Sequence, residues 1–164
     1  MKDAIIEFFK PYGPIAVFIV SMFPIVELRG AIPFVGAPLG IPFWLNYLLA
    51  VAGNLFPIPF ILLFLRKVFD WLRKYNWSRK WVERFENRFV RKAEKMKNVT
   101  FWGLVLFVGI PLPMTGAWTG AGIASLFEMR FRDAMLAITL GVLIAGAIVS
   151  AITYGVLGAL SFMI

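Results

Sequence analysis

The sequence predicts an all-α integral membrane protein, built as an inverted repeat of a re-entrant helical hairpin plus a transmembrane helix, with a cytoplasmic amphipathic helical linker. Three observations predict it. Of its residues 60% are hydrophobic and 16% charged, and the mean hydropathy is +0.81, which is unlike a soluble domain. Residues 30–65, 98–127 and 134–164 carry no charge, and runs beyond about 18 apolar residues indicate membrane spans. Residues 66–97 hold twelve Lys and Arg against four Asp and Glu.

The sequence predicts a single membrane domain, residues 1–164. Its first half consists of residues 1–65. It opens with a short amphipathic entry helix that ends at the Pro and Gly residues of positions 11–14. A re-entrant hairpin follows at about residues 14–42, with its break at "ELRGAIP", residues 27–33. Residues 43–65 are then long enough to cross the bilayer, which takes about 20 helical residues.

The second half, residues 98–164, has the same order of parts. Residues 98–127 are too long for one upright helix and too short for two, and "PLPMTG" at residues 111–116 breaks them near the middle. A second hairpin of two half-helices, each about 13 residues long, fits this length. A second span is expected at about residues 134–162.

A weak internal repeat relates the halves, since Gly30-Ala31 and Gly116-Ala117 lie 86 positions apart. A hairpin returns to the face it entered from and a span crosses, so the two hairpins must enter from opposite faces. We therefore expect their broken loops to meet near the membrane midplane, as in many secondary transporters.

The basic linker, residues 66–97, predicts the orientation. The second part of the linker is predicted to form an amphipathic helix on the inner leaflet, with tryptophans as interfacial anchors. The positive-inside rule puts the linker in the cytoplasm and both termini outside, in a multi-pass protein of the cytoplasmic (inner) membrane. Nucleic acid could bind a basic aromatic surface as well, but the membrane interpretation is favoured and no nucleic-acid partner is expected.

Composition also excludes many kinds of chemistry. The chain has no cysteine and no histidine. This removes disulfides, thiol redox chemistry, haem, ordinary zinc sites and any histidine base. No catalytic residue, metal site or cofactor is predicted, and the chain is not expected to be an enzyme.

Glu27 and Arg29 are the only ionisable residues inside a predicted hairpin. A charge at that depth costs roughly 2.5–3.5 kcal/mol even on insertion scales, so such residues pair or line a cavity. Since residues two apart point to nearly opposite sides of a helix, one shared site requires unwound backbone there. Half-helices beginning near Ala31 and Gly116 would aim their N–H groups at an anion, with Arg29 as headgroup contact and Glu27 as proton carrier. The alternative is that both side chains only satisfy exposed backbone and each other.

The second loop and the first span add polar candidates. The loop offers hydroxyls from Thr115 and Thr119 and an indole N–H from Trp118, or else is only a packing corner. Asn46 and Asn54 could equally face the site or hydrogen-bond another helix. Small residues every fourth position in the last span favour close helix contacts, within or between subunits. The predicted site for substrate or proton comprises Glu27, Arg29, Gly30, Pro33, Asn46, Asn54, Pro111, Pro113, Thr115, Gly116, Trp118 and Thr119.

"ELRGAIP" at residues 27–33, the span with two asparagines, the basic linker and "PLPMTGAWTG" at residues 111–120 together resemble the prokaryotic small multidrug export protein family. The design also looks like a reduced, distant relative of the DedA membrane proteins. That resemblance implies two inverted re-entrant hairpins and transport of lipid phosphates or proton-dependent drug resistance. DedA proteins carry arginines in the second hairpin, and this chain has none there.

The leading functional hypothesis is a small secondary transporter that exports an amphiphilic or anionic small molecule, coupled to protons through Glu27. One alternative is a lipid flippase or scramblase acting on phospholipid or polyprenyl-phosphate. Another is a non-transporting membrane scaffold whose linker recruits a partner. Membrane lipids are expected partners. Two spans enclose little space, so we expect a homodimer or larger homo-oligomer.

Overall fold

The computed structural model describes residues 7–73, 97–112 and 115–163, and this part of the chain is helical without any strand. The predicted amphipathic linker helix falls mostly on residues 74–96 and lies outside the described residues, as do residues 1–6 of the entry helix. A short 3-10 helix, Lys10–Tyr12, ends the entry segment at Gly13, whose φ is 50°.

The first half breaks earlier than predicted. Helix α1 (Ile15–Ser21) is followed by a non-helical stretch at residues 22–26, which we call the first break. Helix α2 (Glu27–Gly30) then continues as a π-helical turn, Ala31–Gly36. The expected break at residues 27–33 is therefore wrong, because these residues are helical. Pro33 has no N–H for the carbonyl four residues before it, and the wider π turn accommodates the proline within the helix.

Among the described residues, two helices are long and apolar enough to cross a membrane, as predicted. The first candidate span, Phe43–Leu65, consists of α3 (Phe43–Leu55) and the start of α4 (Ile58–Arg73), with a turn at residues 56–57. Pro57 lies in that turn and explains the interruption. The second span, Phe131–Gly155, belongs to α7 (Phe131–Met163), three residues longer at its start than predicted.

In the second half the helix is interrupted at the expected place. Helix α5 (Lys97–Gly109) has 13 residues and α6 (Ala117–Leu126) has 10. Between them lies the second break, residues 110–116, of which Pro113 and Met114 lie outside the described residues. Pro111 lacks an N–H, and Gly116 takes an extended conformation as the N-cap of α6.

The first arms of the two halves pack in the same way. In each half the first arm lies against the long helix that follows it: α1 against α3, and α5 against α7. The second arms differ: α6 packs mainly on α4 of the other half, whereas the π turn packs on α1 of its own half as well as on α7. A side chain at Gly53 would collide with the Phe18 backbone, and one at Gly141 would collide with Val108, so both glycines allow the first arm to approach closely. This arrangement places the two breaks next to each other.

The two small-residue stripes of α7 have different environments. Ala137, Gly141 and Ala145 are buried. Ala147, Ala151 and Gly155 are exposed, and Ala159 lies among residues whose side chains are not described. The first stripe therefore serves packing within the chain, whereas the exposed one is not used by the described part of the fold.

Candidate functional site

Arg29 of the first half reaches into the second break. Its Nη1 donates to the carbonyl of Leu112. Its Nη2 donates to the carbonyls of Val108 at 3.2 Å, Ile110 at 3.3 Å and Thr115 at 3.1 Å. The Nε is buried and has no hydrogen-bond partner among the described residues. One guanidinium thus holds most of the backbone that connects α5 to α6.

The end of a helix explains this arrangement. The last carbonyls of α5 have no helical N–H partner, and Pro111 contributes none. A cation near the C-terminus of a helix is also favoured by the helix dipole. Arg29 supplies both the hydrogen-bond donors and the charge.

Glu27 lies at the opposite end of the second break. Its carboxylate Oε1 accepts the N–H of Trp118, in the first turn of α6, at 3.5 Å. A Cβ on Gly116 would overlap this carboxylate, so only glycine allows the approach. The anion-binding end of α6 was predicted to face a substrate, and in the structure Glu27 occupies it. The other anticipated helix start, near Ala31, is not found, because helix α2 begins at Glu27.

The backbone of Glu27 is strained and its side chain is buried. Its φ is 49°, a left-handed value that is uncommon outside glycine and costs on the order of 1–3 kcal/mol. The residue is only 5% exposed. This conformation at the start of α2 lets Glu27 and Arg29 serve one site, although the backbone after residue 27 is helical rather than unwound.

Burial sets the acidity of Glu27, which lies outside both candidate spans. Loss of water raises the pKa of its carboxyl above the ordinary value. The charge of Arg29 and the N–H groups of Trp118 and Ala117 act against this rise in pKa without cancelling it. Glu27 therefore takes up a proton at a higher pH than an exposed glutamate does.

Trp118 and Thr115 complete the junction. The indole Nε1 of Trp118 donates to the carbonyl of Met22 in the first break at 3.2 Å. The hydroxyl of Thr115 bonds the carbonyls of Leu112 at 2.9 Å and Ile110 at 3.1 Å. Each break thus receives hydrogen bonds from a side chain of the other half, Arg29 in one direction and Trp118 in the other.

A cavity of about 810 Å³ lies beside these groups. It brings together six of the predicted site residues with four apolar ones that were not predicted. The predicted residues are Glu27, Arg29, Gly30, Pro111, Gly116 and Thr119, and the others are Pro24, Ile25, Val26 and Phe34. The lining is mostly apolar and includes two charged residues, Glu27 and Arg29.

Asn46 takes part in a different network. It is fully buried, and its Nδ2 donates to the carbonyl of Ile32 at 3.1 Å and to the hydroxyl of Tyr154 at 2.9 Å. Tyr154 in turn donates to the carbonyl of Ile41. This favours the second of the two predicted alternatives, a hydrogen bond to another helix. Asn54 is also buried, and its Oδ1 has no partner within the described ranges.

We expect Asn46→Leu and Tyr154→Phe each to lower the free energy of unfolding by about 1–2 kcal/mol, because each removes buried hydrogen bonds. The double variant should lose less than the sum, since both changes delete the same contact. Chemical unfolding of the four proteins in detergent measures this. Strict additivity would contradict the shared hydrogen bond.

The residues that sequence reasoning missed gave weak signals. Tyr154 lies 108 positions from Asn46, and nothing in the local pattern links them. Pro24 lies in the first break, and its missing N–H is the local signal for that break, whereas Pro33 lies inside a helical turn. In the described parts of the chain, no three acidic, histidine or cysteine side chains are grouped to hold a metal ion.

Comparison with known proteins identifies a family. The model of the family described as "Putative small multi-drug export protein" matches residues 27–148, which start directly after the first break and include the second break, the whole first candidate span and most of the second. Among curated proteins and among solved structures, none matches this chain.

Proposed function

The chain belongs to the small multi-drug export protein family, and from that premise we propose that it exports amphiphilic small molecules across the cytoplasmic membrane in exchange for protons. The observation that carries the proposal is the buried, strained Glu27 beside a largely apolar cavity. Family membership and two apolar helices support a membrane location. Proton coupling, the substrate and the path are our inference.

In this proposal the two broken helix pairs are re-entrant hairpins. Helices α5 and α6, with 13 and 10 residues, would extend about 20 and 15 Å, less than the roughly 30 Å of hydrocarbon. Each arm would therefore reach only part of the way. The matching packing of the first arms on the long helices supports an inverted repeat, and so do the matching close contacts at Gly53 and Gly141. The basic linker would face the cytoplasm and both termini the outside.

The composition of the cavity supports one substrate class over the other. Arg29 already donates to four carbonyls, and Glu27 already occupies the N-terminus of α6. Little positive charge is left for a multivalent anion. The mostly apolar wall, which carries Glu27 and Arg29 as charged lining residues, fits an apolar molecule with one polar group. An amphiphile therefore fits better than a highly charged anion.

Glu27 provides the coupling in this mechanism. As a carboxylate it holds α6 through the N–H of Trp118. When protonated, it no longer offers a negative charge to the helix N-terminus, so this contact weakens. Proton binding would thereby loosen the junction between the two breaks, and proton release would restore it. This links the occupancy of the cavity to the proton gradient.

Transport by purified protein in liposomes under an imposed pH gradient tests the proposal, with a fluorescent amphiphilic dye as substrate. We expect gradient-driven dye movement for the wild type and none above empty liposomes for Glu27→Gln. Glu128→Gln is the matched control, because Glu128 is an exposed glutamate with a nearly identical φ of 50°. Undiminished, gradient-driven movement in Glu27→Gln would remove the coupling role.

A lipid flippase is the second candidate, favoured by one observation. Ile25 and Phe34 line the cavity and are 95% and 66% exposed, so the cavity has an apolar opening on the surface. A lipid could enter with its headgroup between the breaks, as the DedA resemblance implies. Movement of fluorescent lipid without any ion gradient would favour this function over coupled export.

A further inference from the structure

Helix α2 and the π turn form one continuous helical segment, residues 27–36, which we call the α2–π segment. Gly30 and Ala31, where the two parts meet, both have right-handed helical backbone angles. Glu27 begins the segment and Gly36 ends it. Residues 22–26 before it are not helical, so no helix continues into it from α1. Its direction is therefore set by the contacts at its two ends.

The near end of the α2–π segment is fixed at the junction of the two breaks. Arg29 donates to four carbonyls between residues 108 and 115, and the carboxylate of Glu27 accepts the N–H of Trp118. The φ of Glu27, 49°, is a strained left-handed value. Backbone strain persists only where the surrounding structure fixes the chain. A hold on the far end of the segment meets this need.

Asn46 and Tyr154 hold the far end. Asn46 donates to the carbonyl of Ile32 in the π turn, and Tyr154 donates to the carbonyl of Ile41. The N–H of Ile41 donates to the carbonyl of Gly36 at 3.1 Å, so the residues after the π turn are bonded back to it. Asn46 also donates to the hydroxyl of Tyr154, which joins the two contacts. Both candidate spans therefore contribute a side chain to this hold.

Gly36 lets Asn46 lie directly against the π turn. A Cβ at Gly36 would overlap the side-chain amide of Asn46, which is fully buried. Support from outside suits this turn, because Pro33 contributes no N–H to it and π turns are rare within helices. Gly116 admits the carboxylate of Glu27 in the same manner at the near end. At each end of the segment, a buried polar side chain thus lies against a glycine.

We infer that Asn46 and Tyr154 are positioning residues for Glu27, which keep its carboxylate at the N-terminus of α6 by holding the far end of the α2–π segment. The inference rests on the coupling role proposed above for Glu27. Ile32 and Glu27 belong to one continuous helical segment, so a movement of the π turn moves Glu27 with it. Loss of the Asn46 or Tyr154 contacts would release the segment on one side and let water reach the carboxyl.

The groups around Glu27 determine the direction of the expected change. Helices α1 and α6 and the π turn carry no titratable side chain, whereas α3 and α7 contribute Tyr47, Arg132, Asp133 and Tyr154. Arg29 is the charged group that acts on the carboxyl of Glu27, and it lowers the pKa. Burial has the larger effect and raises the pKa. Water at the carboxyl therefore lowers the pKa of Glu27 toward its ordinary value.

Infrared difference spectroscopy of the purified protein in detergent tests the inference, because it follows the protonation of Glu27 without transport. The carboxyl band that Glu27→Gln removes identifies this residue. We expect its midpoint to fall by about one pH unit in Asn46→Leu, a roughly tenfold loss of proton affinity. In Tyr154→Phe the fall should be smaller, because the contact of Asn46 with the π turn remains. Tyr47→Phe is the matched control and should keep the wild-type midpoint, since Tyr47 joins the same two helices by a hydrogen bond to Leu143 at 3.2 Å rather than to the π turn.

Two results would overturn the inference. Midpoints in Asn46→Leu and Tyr154→Phe that equal or exceed that of the wild type would mean that these residues do not position Glu27. An equal fall in Tyr47→Phe would show a general loosening of the helices instead of a specific hold on the π turn. Dye transport in liposomes separates the inference from the proposed function. A wild type without gradient-driven transport would overturn export, whereas midpoints lowered only in Asn46→Leu and Tyr154→Phe would still support the positioning of Glu27.

Discussion

Replacing Arg29 with methionine should lower the free energy of unfolding by on the order of 3 kcal/mol. Methionine keeps much of the apolar stem but removes every donor, which leaves the carbonyls of Val108, Ile110, Leu112 and Thr115 without the guanidinium. A buried acceptor that loses its partner costs about 1–3 kcal/mol, and the more exposed carbonyls cost less. Denaturant unfolding in detergent, followed by tryptophan fluorescence, measures the difference.

Two further variants separate hydrogen bonding from charge. Arg29→Lys keeps the charge but loses the planar fork, so we expect it to recover only part of the stability. Arg132→Met removes a cation from an exposed position of α7 and should change the stability by less than about 0.5 kcal/mol. If Arg29→Met were as stable as Arg132→Met, the structural role given to the guanidinium would be wrong.

Gly116→Ala is expected to have the second large effect. Its Cβ would overlap the carboxylate of Glu27, so either the carboxylate leaves the N-terminus of α6 or the two breaks move apart. Overpacking of this kind costs about 1–3 kcal/mol. The φ of Gly116 is −82°, which alanine adopts freely, so the cost is steric rather than conformational. Unfolding in detergent and dye transport should both be impaired.

Gly122→Ala provides the matched control. Gly122 lies in the same helix, and an added Cβ there meets no atom within 4 Å. Alanine in a helix interior is favoured over glycine by up to about 1 kcal/mol, so this variant should be neutral or slightly more stable. Equal behaviour of the two alanine variants would show that Glu27 does not need close approach to α6.

Local chemistry made the second break predictable from the sequence. Pro111 removes a backbone donor, and α5 ends just before it. Gly116 ends the extended stretch, and α6 begins directly after it. The two long apolar helices were predictable for a similar reason, because length and hydropathy alone define them. Family membership, anticipated from the same motifs, is confirmed over residues 27–148.

The first break shows where such reasoning fails. Pro24, Gly30 and Pro33 suggested an unwound segment, yet the chain is non-helical only around Pro24, absorbs Pro33 in a π turn and stays helical from Glu27 to Gly36. That choice depends on contacts with α1, α3 and α7, which the local sequence does not contain. The hydrogen-bond partners of Glu27 and Arg29 were missed for the same reason. Trp118 lies 91 positions from Glu27 in the chain, and Val108 lies 79 positions from Arg29.

The exchange of side chains between the two breaks bears on how the protein is synthesised. Arg29 and Met22 emerge from the ribosome long before the carbonyl of Val108 and the indole of Trp118 that pair with them. Until those residues arrive, the guanidinium of Arg29 and the carbonyl of Met22 lack these partners. In the re-entrant arrangement proposed above, the first half would therefore reach its final bonding only after the second half is inserted.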